Sequence, residues 1–168
     1  MHAAQVDTTG AGDAASQGHS DLPAGDLVRL PGRGSVFVRQ LPGPRDAPTL
    51  VLLHGWTVTA DVTWHLSYQT LGRHFRVIAF DHRGHGRGLR GDAGFQLEHC
   101  ADDVAAVATE LGIDRFIPVG YSMGGPVVQL LWRGQHSRNA GNSTQYGAKG
   151  RIVELLRCEF AGVEAHPD

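Results

Sequence analysis

Apolar residues in this chain gather into short runs, each closed by a cluster of glycine, proline or polar residues. Residues 26–30 and 35–41 alternate apolar and polar with the period of a strand, and Pro31-Gly32-Arg33-Gly34 between them supplies turn chemistry, so the pair predicts a hairpin. Thr49–Leu53 is an unbroken β-branched and leucine run, which fits a central strand buried on both faces. Residues 61–71 predict a short helix, and 75–80 a second buried strand ended by Asp81. A loop rich in glycine and arginine follows, from 82 to 94. Leu97, Cys100, Ala101, Val104, Val107, Ala108 and Leu111 then recur at helical spacing, with Glu98, Asp102, Asp103 and Glu110 on the opposite side. Gly112 ends that helix. Residues 116–119 predict a third strand, which runs through Gly120-Tyr121-Ser122-Met123-Gly124-Gly125 into a helix over 126–133.

Strands that alternate with helices predict an α/β fold: a mostly parallel sheet with flanking helices and the hairpin added at one edge. Ligands of such sheets sit beyond the carboxyl ends of the strands, and His54, Asp81 and Ser122 all stand there. At 168 residues the chain has room for one modest domain, placed at 26–134. Residues 1–25 are polar with no apolar stretch, which predicts a flexible arm and no signal peptide, hence a cytoplasmic protein. Residues 135–168 predict an irregular tail with a short amphipathic helix over Ile152, Val153, Leu155, Leu156 and Phe160. The formal charge of -2 gives no bias toward nucleic acid or anionic membrane, and no apolar run approaches bilayer length, so a small-molecule partner is expected. Composition says nothing about oligomeric state. Cys100 and Cys158 lack metal-type spacing, and Cys100 falls where a small buried hydrophobe fits the helical pattern.

G-x-S-x-G is a short pattern, and its plain alternative is an ordinary glycine-rich turn. Here it follows a strand and opens a helix, the context that gives it meaning. Such a turn is tight and strained, so small neighbours are needed at Gly120 and Gly124, and Gly125 is expected to give the helix room to approach the sheet. The turn lifts the Ser122 hydroxyl clear and aims the Met123 N–H at the start of the new helix, where developing negative charge is stabilised. An oxyanion hole needs a second N–H. His54-Gly55-Trp56 offers that of Trp56, whose side chain is expected to shape an apolar pocket or, alternatively, only to pack. His54 reads as a buried hydrogen-bonding histidine rather than a catalytic base.

H-G-W after one strand, D-H-R-G-H-G-R-G after the next and G-Y-S-M-G-G after the third resemble the α/β-hydrolase fold family, in the lineage of bacterial esterases, epoxide hydrolases and cofactor-free haloperoxidases. The resemblance spans residues 27–133. It implies Ser122 as nucleophile, Trp56 and Met123 as the oxyanion hole, and His54, Gly55, Gly120 and Gly124 as supports. No cofactor is expected, and the substrate is a small molecule with a carbonyl or similar electrophile. It also implies that Asp81, Arg83, Gly84 and Gly86 fix a loop. His82 and His85 beside Asp81 offer a metal cluster as the alternative, with no further ligand spacing behind it.

The pattern departs from this family after residue 133. Residues 134–150 contain no apolar run, so the next strand is expected to be missing and the edge of the third strand bare. Glu154, Glu159 or Glu164 followed by His166 gives the order acid then histidine, yet two further strand–helix units need about 60 residues. The fold is therefore read as truncated after the elbow helix, without an evident triad acid or histidine. Two classes of function follow: serine hydrolysis by lineage, or a catalytically incomplete remnant or non-catalytic binding domain. A nucleotide-binding domain is excluded, because neither G-x-G-x-x-G after the first strand nor a P-loop is present.

Overall fold

The computed structural model describes residues 22–91, 94–139 and 151–152, with the side chains of 135–139 and 151–152 outside the description. Most of the predicted arm lies outside the described residues, as do Glu154, Glu159, Glu164, His166 and Cys158 of the tail.

Strands β1 (Gly25–Leu30) and β2 (Gly34–Leu41) form the hairpin, and β2 lies antiparallel to β4 (Arg76–Phe80). Strand β3 (Thr49–Leu53) runs parallel to β4 on one side and to β5 (Arg115–Gly120) on the other. The sheet order is β1-β2-β4-β3-β5-β6, where β6 is Arg151–Ile152. This strand corrects the expectation of a bare edge: Arg151 and Ile152 pair in parallel with Arg115 and Phe116. Two residues leave no periodicity to read, and backbone pairing does not require any. Ile152 therefore lies in a strand rather than in the helix its apolar neighbours predict.

Residues 61–71 fold as two helices, α1 (Ala60–Trp64) and α2 (Tyr68–Gly72), rather than one. The break follows from the Ser67 N–H, which donates to the Trp64 carbonyl at 2.8 Å and tightens the chain into a turn. Helix α3 (Leu97–Glu110) follows the predicted stripe, and α4 (Gly124–Asn139) runs beyond the predicted end. Apolar periodicity stops near Arg133, but no proline interrupts the polar residues that follow, so the helix continues. Among the described residues no helix is long and apolar enough to cross a membrane.

Successive residues of a strand face opposite sides, and β3 shows why every residue after Thr49 is apolar. Val51 and Leu53 pack with α3 and α4 residues such as Val104, Val107, Val127 and Leu131, while Leu50 and Leu52 pack with Ala60 and Tyr68 on the other face. Each such aliphatic side chain contributes about 1.5–3 kcal/mol when fully buried. The carboxyl ends of β3, β4 and β5 thus lie side by side on a packed platform.

Candidate active site

Ser122 occupies the turn between β5 and α4 with φ of 51°, a left-handed conformation that a side-chain-bearing residue adopts at a cost of roughly 1–2 kcal/mol. The turn is closed by the Gly124 N–H donating to the Tyr121 carbonyl and the Gly125 N–H donating to that of Ser122, each at 2.9 Å. A side chain at Gly120 would place its Cβ 2.3 Å from the Gly124 backbone, and one at Gly124 would lie 2.4 Å from the Leu53 carbonyl oxygen. Gly125 does not behave as the sequence predicts: a Cβ there meets nothing within 4 Å, so the approach of helix to sheet depends on Gly124. Ser122 and Tyr121 are exposed and Met123 is partly buried.

The His54-Gly55-Trp56 loop leaves β3 beside this turn. The Tyr121 N–H donates to the Leu53 carbonyl at 2.9 Å, and a Cβ added at Gly55 would lie 3.2 Å from Ser122 Cβ. Thus Gly55 and Ser122 are brought together, with Trp56 and Met123 each one residue further along. His54 is completely buried. Its Nδ1 lies 2.7 Å from the Gly55 carbonyl oxygen, and its Nε2 accepts the His82 N–H at 2.8 Å. Burial lowers the His54 pKa and keeps the ring neutral.

A family model described as the alpha/beta hydrolase fold matches residues 48–132, from the start of β3 into the elbow helix. The chain belongs to the α/β-hydrolase family. Among curated relatives of this chain, a bifunctional esterase/perhydrolase of Acinetobacter calcoaceticus is 45% identical over 83 residues, 49% of this chain and 30% of the relative. A non-heme chloroperoxidase of Burkholderia pyrrocinia is 30% identical over 126 residues, covering 75% of this chain and 44% of the relative. A solved structure from work on epoxide hydrolases in metagenomes from hot environments is 33% identical, with a TM-score of 0.59 over 68% of this chain and 39% of that one. The match therefore spans less than half the length of each of these relatives.

In this member of the α/β-hydrolase family the loop after β4 is fastened by charge. Asp81 is buried and accepts the Ala60 N–H at 2.7 Å through one oxygen and the Arg87 N–H at 2.8 Å through the other. Arg83 grips Asp103 of α3 through two bonds of 2.8 and 2.7 Å, and Arg33 adds a third at 3.0 Å. Asp103 is only 2% exposed, which corrects its assignment to the solvent side of α3. One carboxylate with two guanidinium partners can be buried where a lone one cannot. The sequence also gave no sign of Arg90, whose guanidinium donates to the carbonyls of His85, Gly86, Gly88 and Leu89.

His82 is fully buried with neither ring nitrogen hydrogen-bonded, and its pKa is pushed down to about 3, chiefly by burial and then by His54 and His85. Among the described residues no group of three His, Cys, Asp or Glu side chains converges as metal ligands would. Trp56 meets His85 and Phe95 edge-on, with centroids 5.2 and 4.9 Å away. Together with Thr57, Val58, Thr59, Gly84 and Gly86 these rings line an open groove of about 490 Å³. Ser122 and Met123 are not among its walls.

Proposed function

We propose that Ser122 is built to attack the carbonyl of an ester-like small molecule. The observation that carries this reading is an exposed serine at φ 51° on the strand-to-helix turn, within side-chain contact distance of Gly55. Attack by Oγ forms a carbon–oxygen bond and moves the carbonyl π pair onto oxygen, and the Trp56 and Met123 N–H groups are the donors suited to hold that charge. The Oγ proton must leave to a general base. His54 is not that base, since one ring nitrogen is committed to the Gly55 carbonyl and the other to the His82 N–H. The esterase and chloroperoxidase names of the relatives support small-molecule chemistry.

A binding domain without turnover is the second reading. It is favoured by the engagement of both His54 nitrogens, which leaves that ring unable to take the Ser122 Oγ proton. An oxyanion site without its triad still gives roughly 10³–10⁴-fold over water in serine proteases. That residual acceleration needs no serine, so the decisive readout is covalent: the full chain should take a fluorophosphonate label slowly, and Ser122→Ala should abolish the labelling. Equal labelling in the variant would overturn the nucleophile and leave the binding domain.

A further inference from the structure

We propose that the groove lined by Trp56, His85 and Phe95 binds a small neutral aromatic ring bearing a hydroxyl group, a phenol being its simplest ligand. His85 Nε2 accepts the hydrogen bond of that hydroxyl. The proposal does not rest on Ser122 as nucleophile. The walls come from the loops after β3 and β4 and from the approach to α3, and the space of about 490 Å³ is that of a small-molecule site. The three rings meet pairwise edge-on, with centroids 4.9–5.8 Å apart and planes at 67–79°. Rings held this way fix one another without stacking, so each keeps surface for a further ring. Trp56 is 54% exposed and Phe95 39%, and an inserted planar group would cover surface that water otherwise wets. Beside Trp56, Thr57 holds φ at 61°, a strained value for a β-branched residue, and such strain is commonly retained at ligand sites.

Charge and hydrogen bonding narrow the ligand further. Aromatic faces also suit a quaternary ammonium. Here, however, the Arg90 guanidinium donates to the carbonyls of His85 and Gly86 in the groove wall, and its positive charge opposes a second cation. An anion finds the other guanidinium groups of this loop engaged, Arg87 with Asp61 and Arg83 with Asp103. A neutral ring is what remains. Its polar contact follows from the His85 tautomer. The Arg83 carbonyl can only accept, so the Nδ1 that lies 3.1 Å from it carries the proton. In the neutral imidazole Nε2 is then a bare acceptor. It has no hydrogen-bond partner among the described residues and is open to solvent. A phenolic hydroxyl can donate to it, whereas the oxygen of an aryl ether has no proton to give.

Three probes test this on the full chain by nuclear magnetic resonance titration: phenol, anisole and tetramethylammonium. The readout is the side-chain resonances of Trp56, His85 and Phe95, and it requires no turnover. Phenol should shift all three. Anisole keeps the ring but lacks the donor, and should bind about two- to tenfold more weakly, the range expected for one neutral hydrogen bond. Tetramethylammonium should leave the resonances unmoved. His85→Phe retains a ring and removes the acceptor, so phenol and anisole should bind it equally. Four results would each overturn the proposal: no response of these residues to phenol, equal affinity of wild type for phenol and anisole, a response to tetramethylammonium, or a preference for phenol that survives in His85→Phe. Should that variant fail to fold, the wild-type comparison of phenol with anisole still decides.

Discussion

Adjacent glycines in the elbow should respond to the same substitution with opposite sign. In Gly124→Ala the new methyl would sit 2.4 Å from the carbonyl oxygen of Leu53, a completely buried residue of the central strand. The clashing atom is backbone, so relief requires α4 and β3 to separate by about 1 Å, and overpacking of this kind costs about 1–3 kcal/mol. The same oxygen accepts the Tyr121 N–H at 2.9 Å, and weakening that bond adds up to about 1 kcal/mol. The better helix propensity of alanine returns at most about 1 kcal/mol, so the net loss is about 1–3 kcal/mol. In Gly125→Ala the methyl meets nothing within 4 Å, and the same propensity stabilises by about 0.5–1 kcal/mol. Urea unfolding of both variants beside wild type measures the pair. With a slope of about 1–3 kcal/mol per molar urea, the midpoint of Gly124→Ala should fall by about 1 M and that of Gly125→Ala should rise slightly. A destabilised Gly125→Ala, or a Gly124→Ala with an unchanged midpoint, would show that the helix does not approach the strand as described.

Two further outcomes follow from buried charge. Asp103→Ala leaves the partly exposed Arg83 and Arg33 guanidinium groups without their shared carboxylate, and should cost about 1.5–3 kcal/mol in the same unfolding assay. His82 titrates near 3 in the folded chain against an ordinary value of 6.5, so as pH falls through 6.5 the unfolded chain takes up this proton first. Its contribution to stability is present above pH 6.5 and is lost toward pH 3 at about 1.4 kcal/mol per pH unit, or about 2 kcal/mol between pH 7 and pH 5. His82→Phe keeps a buried ring and should flatten that part of the pH dependence; an unchanged slope would show that His82 does not carry it.

How much of this was legible from residues depended on the range of the interaction involved. Strands β3 and β4 were legible because burial on both faces leaves an uninterrupted apolar run, and the hairpin because Pro31-Gly32 marks its turn. The stripe of α3 gave its span, yet not the burial of Asp103, whose partner Arg33 lies 70 residues away in the chain. Among the candidate site residues, Ser122 and Gly124 could be recognised from local turn chemistry alone. His54 could be read as a buried histidine, but its bond to the His82 N–H exists only once β3 and β4 are paired. Gly125 was misjudged for a related reason. A motif names which residues are small, and only the packed sheet shows which of them is crowded.

The central position of β3 also bears on the order in which the molecule assembles. Leu50 pairs with Val77 on one side and with Ile117 on the other, the second partner lying more than twice as far along the chain as the first. Closure entropy rises with the length of chain enclosed, and non-local parallel pairing slows folding. The hairpin of β1 and β2, and next β3 against β4, can form from nearby segments, whereas β5 docks only after the whole of α3 has been drawn in. The turn that holds Ser122 follows β5 and the loop that holds Trp56 follows β3, so they are brought together by the pairing that encloses the longer stretch of chain. A fluctuation that parts β5 from β3 therefore separates Ser122 from Gly55, while the pairing of β3 with β4 can persist.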